Sequence, residues 1–551
     1  MKKKAVCSYI GFCFIMLLLA VPGICADWDD GMEIINDNFA ISATPRHEWY
    51  PRYVYNEKEN EYMVTFRITG PMRDDCEEGD DYECTNNFQG IFAQRVAPDG
   101  ELLGDIIEWV TPTTGRGSGT VLDLNPYTNE YMCVYSYGDD PEERRPLTLR
   151  ADKDGNILDG PNPVYTGGAG QSLLAEIVFN PVRKNYFVTY NDDDVFSEDK
   201  NNVGFILDEN GVPTTTEPFE VGDQVGVFYA QDVVYNPDDD RYLVAWEDFR
   251  HATGFWAAGP NDIYGALIDG NGGMISEVPI MDDNDLPDFR TAWTPAVAYN
   301  PDKNEFFCAW TYDAAEVYDE GCIMGRTIAP DGTLGDPILL VDTPKSQATP
   351  EIIYVKEKKK YFMVYGDTIE YTPNPEDPPY ILEYDMYATW LDDTGHPIGD
   401  LITLHKEEGK QSVPEVVYCP LMDSFLIAWR DENAPGDYPG ILDPESSFSL
   451  YFDEPSDIMG IIYGTPSFLA ARVVEAGTEN PIEDAGVLII GPSLPAVKKT
   501  NVSGWFNVVK KSQPNGKYLA VVVKLGYLPA IQTVDYAGES LKETIEMKKL
   551  W

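Results

Sequence analysis

The sequence is poor in basic residues, histidine and cysteine, and it has one long apolar run. Forty lysines and arginines stand against 93 aspartates and glutamates in 551 residues, a formal net charge of −53. A chain this acidic has no basic footprint for a phosphate backbone, which excludes nucleic acid as a natural partner. It is also disfavoured on anionic lipid. The four histidines, His47, His251, His396 and His405, fall in separate stretches without metal-ligand spacing, which weakens any case for His-based chemistry. G-x-S-x-G, H-E-x-x-H, P-loop and C-x-x-C motifs are missing. What is present is apolar and aromatic matter: 43 % hydrophobic and 12 % aromatic residues. That is too much for a disordered acidic chain, so the charge must sit on folded, core-bearing structure.

The apolar run follows Lys2, Lys3 and Lys4, extends from Ala5 to Val21, and ends at Pro22-Gly23 before Ile24-Cys25-Ala26. A positive start, an apolar stretch and a small residue at the cleavage point read as a secretory signal over residues 1–26. A retained anchor is the alternative. With the signal removed no membrane span is expected, and the chain is placed in the periplasm, on the cell surface or outside the cell. Of nine cysteines, Cys7, Cys13 and Cys25 leave with the signal. The remaining six are too sparse to frame the fold. Cys76 and Cys84 flank an acidic loop, and a local disulfide is expected between them.

A repeat decides the architecture. Its clearest copy is Asp232-Val-Val-Tyr-Asn-Pro-Asp-Asp-Asp-Arg-Tyr-Leu-Val-Ala-Trp246. Taking Asn236 as anchor, aromatic residues follow at plus six (Tyr242) and plus ten (Trp246). The same spacing fits Asn56/Tyr62/Phe66, Asn125/Tyr131/Tyr135, Asn180/Tyr186/Tyr190 and Asn300/Phe306/Trp310. Two further copies lack the Asn: Val355/Tyr361/Tyr365 and Cys419/Phe425/Trp429. Each copy reads as four short strands. An apolar strand A reaches the anchor, Asn-Pro makes a turn, and strand B carries the two aromatics. Strand C (Ile263 to Ile268 and its cousins) then leads through a Gly hairpin, such as Asp99-Gly100 or Asn271-Gly272, to strand D. Cys133 and Cys308 stand at plus eight, where Val64, Val188 and Val244 stand in other copies, so both are expected to be buried free thiols.

Seven four-strand units predict an all-β, seven-bladed β-propeller over residues 27–469. An open β-solenoid is the alternative. The seventh copy has strands A, B and C but no D, whereas Gly31 to Asn36 looks like a D strand with no blade before it. The N-terminal strand is therefore expected to complete the last blade, which removes exposed sheet edges. The units resemble secreted bacterial propeller repeats of the type YNP…YLVAW.D.R…DIYG, a resemblance that implies the fold and no single chemistry.

From Ala470 onward the composition changes to ten basic and eight acidic residues. Segments Ala471 to Val474, Asn480 to Ile489, Thr500 to Phe506, Asn515 to Val523 and Gly526-Tyr527 form alternating strands with turns at Ser503-Gly504 and Asn515-Gly516. They predict a small β-sandwich over 470–551. This part resembles the carboxypeptidase regulatory-like, transthyretin-like module, which implies a non-catalytic accessory role and names no ligand residues.

The loops between strands B and C are the acidic, variable parts, among them Asp74 to Glu83, Asp192 to Asp199 and Asp431 to Asp457. Clustered carboxylates suit a hard cation, so Asp192, Asp193, Asp194, Asp248 and Asp262 are candidates for calcium, the one cofactor considered. A solvated acidic surface is the other reading. Arg250, in Trp246-Glu-Asp-Phe-Arg250, is expected to pair with Asp262 across the B–C hairpin, or else to clamp a sugar or an acid. Asp152 to Ile157 mimics a calcium loop but aligns with the hairpin turns. The functional expectation is a non-enzymatic binding or structural protein with a protein or glycan ligand. The alternative is a polysaccharide-acting hydrolase or lyase with carboxylates on the propeller's central face.

Overall fold

The computed structural model describes residues 31–44, 48–69, 89–111, 116–138, 145–165, 172–192, 201–222, 228–250, 261–282, 290–314, 317–371, 380–406, 410–432, 456–478, 480–492, 495–509, 513–537 and 541–550. The proposed signal, Cys76, Cys84, Asp193 and Asp194 lie outside these residues. The described residues are all β. None of them forms a helix long and apolar enough to cross a membrane.

The fold is a β-propeller followed by a small sandwich. Seven antiparallel four-stranded units are ordered by their inner strands: Glu48–Asn56, Arg116–Asn125, Ser172–Asn180, Phe228–Asn236, Arg290–Asn300, Gln347–Val355 and Lys410–Cys419. Each inner strand touches the next, and the last touches the first, so the ring is closed. The fourth strand of the seventh unit is the N-terminal segment Glu33–Ser42. It pairs antiparallel with Ser456–Gly464, matching Asn36 to Ile462 and Phe39 to Gly460. Glu48 fastens this closure. Its carboxylate accepts from Ser42 Oγ (2.8 Å), the Thr44 amide (2.9 Å) and the Ile458 amide (3.2 Å).

The recurring aromatics explain why the units stack. Tyr62, Tyr131, Tyr186, Tyr242, Phe306, Tyr361 and Phe425 at plus six are all buried, as are the seven residues at plus ten. Strand B lies inside its sheet with both faces covered by neighbouring blades, so it must be apolar on both sides. The hydrophobic clusters accordingly lie between blades; one joins Leu243 and Leu267 of the fourth blade to Phe306 and Trp310 of the fifth.

The anchor Asn does two jobs. In the fourth copy Asn236 Oδ1 accepts from the amides of Asp238 (2.8 Å) and Asp239 (3.2 Å), which caps the turn. Its amide group then reaches the next blade, donating to Asn304 Oδ1 at 2.8 Å. Asn180 likewise donates to Asp240 Oδ1 (3.1 Å) and the Tyr242 hydroxyl (2.8 Å), and Asn56 to Asn129 Oδ1 and the Tyr131 hydroxyl, both at 3.0 Å. The residue at plus four closes every turn with a positive φ, between 51° and 62°, in all seven copies (Asn60, Asn129, Lys184, Asp240, Asn304, Lys359, Asp423). The hairpin glycines Gly100, Gly155, Gly211, Gly272, Gly332 and Gly395 also have positive φ, as their turns require. Asp152 to Ile157 is such a turn: Asp152 Oδ1 accepts from the amides of Asp154 and Asn156.

The C-terminal sandwich packs a four-stranded sheet (Ala496–Lys499, Gly486–Ile490, Gly516–Val523, Ala530–Tyr536) on a three-stranded one (Trp505–Val509, Ser467–Glu475, Leu541–Met547). Phe468, Val473, Val487, Phe506, Tyr518 and Ile545 lie in its core. Lys542 joins it to the propeller through Asp99 (2.7 Å) and Glu101 (3.0 Å).

Candidate functional site on the propeller axis

Every inner strand carries a register break that begins seven residues before its anchor, as at Trp49/Arg52 and Tyr229/Asp232. Tyr50, Thr294 and Thr349, at minus six, take positive φ of 49°, 45° and 49°. Such a bulge twists the strand and re-aims the side chains that follow. The position after it, four residues before the anchor, is occupied in ring order by Arg52, Val121, Glu176, Asp232, Ala296, Glu351 and Glu415.

These residues meet at the axis. Arg52 Nη2 lies 3.0 Å from Glu176 Oε1, although the two belong to the first and third blades. Arg52 Nη1 also contacts Glu415 of the seventh blade. One guanidinium thus reaches carboxylates on both sides of its own blade, which only a position near the ring centre allows. The level is not sealed: the side chains of Arg52, Glu176 and Glu415 keep 29 %, 15 % and 11 % of their surface.

Asp232 accepts from its neighbour Val233 (2.7 Å) and from the Val297 amide of the next blade (2.7 Å), so it also straps two blades together. Asp123, two residues before its anchor, does the same for the Phe179 amide at 2.6 Å. Glu351 forms no ion pair within 4.0 Å among the described residues.

The electrostatics follow from confinement. Burial raises the Glu176 carboxyl to about 7, with Arg52 pulling against it and Asp232 pushing further up. Burial also raises Asp232 and Glu351, and each feels the field of Arg52. For Glu351 the neighbouring Asp232 and Glu176 add to the upward push. The ring centre therefore gathers carboxyl groups that burial holds protonated to higher pH than in water, in the field of one guanidinium.

The described residues singled out from the sequence stand elsewhere, where strands B and C meet their connecting loop. Asp248 and Asp262 are opposite one another in register and both are buried. Asp248 Oδ2 accepts from Trp246 Nε1 (2.9 Å) and Arg250 Nη2 (2.6 Å), and Oδ1 from the Arg250 amide and Nε. The expectation for Arg250 named Asp262; the carboxylates that hold its guanidinium are Asp248 and Glu277, the latter at 2.8 Å. The guanidinium lies over the Tyr264 ring at 3.8 Å, a built-in structural clasp. Asp192 ends the second strand of the third blade. Among the described residues no group of three or more His, Cys, Asp or Glu could hold a metal ion. Cys133 and Cys308 are buried free thiols.

The axial residues were missed because each is a single polar residue in an apolar strand. The signal was available in the aligned copies: five of the seven carry a charge four residues before the anchor.

No family model matches the chain, and no curated protein matches it. Solved structures resemble it in fold. A protein of unknown function from Dyadobacter fermentans has 12 % identity and a TM-score of 0.45, covering 79 % of this chain and 99 % of its own. The phage phi92 endosialidase has 8 % identity and a TM-score of 0.41, covering 79 % and 69 %. The family-93 α-L-arabinofuranosidase of Fusarium graminearum, solved with arabinobiose, has 10 % identity and a TM-score of 0.37, covering 78 % and 97 %. The expectation of a non-enzymatic binding or structural protein is corrected here. That expectation left the axis without chemistry, whereas the axis holds an arginine among four carboxyl groups.

Proposed function

We propose that this chain is a hydrolase acting on polysaccharide, with its chemistry on the propeller axis. The observation that carries the reading is the convergence of Glu176, Asp232, Glu351 and Glu415 on one arginine in a partly open ring centre. Glycosidic bonds are broken by paired carboxyl groups, one holding a proton and one without it. Glu351 is the donor: its proton passes to the leaving glycosidic oxygen as the bond to the anomeric carbon breaks. Glu176 takes a proton from the water that attacks that carbon. Asp232 keeps its two amide bonds and acts through its charge.

The remaining parts fit an exported enzyme. Residues 1–26 serve as the signal, so the protein works in the periplasm, on the cell surface or outside the cell. Residues 470–551, which resemble a carboxypeptidase regulatory-like module, are an accessory unit on the ring of residues 27–469. The partner is a glycan.

The test is a hydrolysis screen of the purified protein against arabinan, xylan, galactan, pectin and sialylated glycans, with products separated by chromatography. The wild type should release oligosaccharides, and Glu351→Gln should release at least about 100-fold less, the usual contribution of a general acid. No hydrolysis of any of these by a folded wild type, or full activity in the variant, overturns the proposal.

A further inference from the structure

Among the described residues of the axial level, Arg52 is the one cation. Around Arg52 stand Glu176, Asp232, Glu351 and Glu415 from four other inner strands and Tyr53 from its own. The two remaining inner strands bring Val121 and Ala296, which carry no charge. We propose that Arg52 is the positioning residue of this site: its guanidinium, shared between Glu176 on one side and Glu415 on the other, fixes Glu176 in aim and charge, while Glu351 is left without a cation in contact. The inference rests on the hydrolase reading and names the group that divides the two roles.

The geometry carries this division. A guanidinium is planar and always charged, and it offers donors in two directions at fixed angles. Nη2 is committed to Glu176 and Nη1 to Glu415, so the cation sits between those two carboxylates. Without it, four carboxyl groups of one sign would share a confined space, and like charges that close cannot all ionise. Arg52 touches carboxylates and, by this proposal, not the reacting atoms. Its position is set in turn by the bulge at Tyr50, two residues earlier, and by the Glu48 closure, which ties the same strand to the seventh blade. Among the described residues at this level, the one arginine therefore comes from the strand at which the ring is closed.

Exchanges on either side of the contact give opposite signs. Arg52→Lys keeps the charge but loses the two-sided reach, and Arg52→Met loses both. In each, Glu176 should hold its proton to higher pH, so the acidic limb of the kcat/KM profile should move up, by one pH unit or more in Arg52→Met and by less in Arg52→Lys, with KM little changed. Glu415→Gln releases the guanidinium to Glu176 alone, so the same limb should move down. A purely structural role would lower activity evenly across pH, and shifts of one sign, or none, overturn the proposal. Infrared spectroscopy of protonated carboxyl groups decides the matter without turnover. At neutral pH Arg52→Met should gain a carboxylic-acid band over wild type, and adding Glu176→Gln should remove it; no added band overturns the inference. A wild type that cleaves no glycan, together with an Arg52→Met that gains this band, would defeat the hydrolase reading and leave the role of Arg52 standing. If Arg52→Met does not fold, Arg52→Lys and Glu415→Gln carry both readouts.

Discussion

The two levels of the seven inner strands follow different rules. At the turn, five of seven copies carry Asn, and all seven place a positive-φ residue four positions on. At the bulge, the seven copies carry Arg52, Val121, Glu176, Asp232, Ala296, Glu351 and Glu415. In the five Asn copies the turn solves one local problem, two amides to cap with one side-chain oxygen. Each copy sees the same surroundings, so the same residue serves. At the axis each residue sees the other inner strands. Val121 and Ala296 show that an apolar side chain is enough there for packing. Gathering carboxyl groups in a half-buried centre costs free energy that such side chains would avoid. That cost is a sign of function more than of stability.

The largest effect that would break this contrast concerns the axis. Glu351→Gln and Glu176→Gln should each lower hydrolysis at least about 100-fold; the melting temperature should hold or rise in Glu351→Gln, which removes a buried carboxyl outside any ion pair among the described residues, and fall in Glu176→Gln, which takes a partner from Arg52. A variant that loses activity only in step with its fold would put the axis on the same footing as the turn.

At the turn the signs should reverse. Asn180→Ala strips the caps from Val182 and Arg183 and leaves the Tyr242 hydroxyl without its donor. The expected loss is about 2 kcal/mol, as for a lost cap plus a buried hydrogen bond. Denaturant unfolding measures it, and kcat should stay within a small factor of wild type.

Glu247 offers an intermediate case. It is 1 % exposed, accepts from the Thr294 amide at 2.6 Å, and has a second carboxyl oxygen buried without a partner. Burial raises its carboxyl from 4.5 to about 8. The folded state thus binds a proton that the unfolded state has lost over this range. The stabilising contribution is complete below about pH 4.5 and falls away as pH rises towards 8. Melting temperatures at pH 5 and pH 8 should therefore differ less in Glu247→Gln than in wild type. An equal drop in both would show that this carboxyl does not titrate as buried.

The smallest effect is expected at Cys133→Val. Valine stands at the same place in three other copies, and the thiol makes one contact, to Thr120 Oγ1 at 3.2 Å. The change should be under about 1 kcal/mol. Cys133 should resist alkylation in the native protein, and rapid labelling would show the inter-blade core to be open.

How much was legible in advance divides along the same line. The anchor, the plus-six and plus-ten aromatics and the hairpin glycines were readable because they answer to neighbours close in sequence. Turn geometry and a strand with both faces covered impose the same residue types wherever the unit recurs. The open last unit and the stray first strand were legible for a related reason, since an unpaired edge is costly. The sites chosen in the B–C loops followed a surplus of carboxylates, a feature of composition, and Asp248 turned out to serve a clasp with Arg250 and Trp246. For the axial group the aligned copies show charges at one position but not which of them meet. Arg52 and Glu176 are 124 residues apart, and nothing in either segment predicts the other. By itself the sequence determined the repeating unit, because each blade's packing is local and periodic. Only the closed ring decided which side chains meet at its centre, because that meeting depends on seven strands converging on one axis.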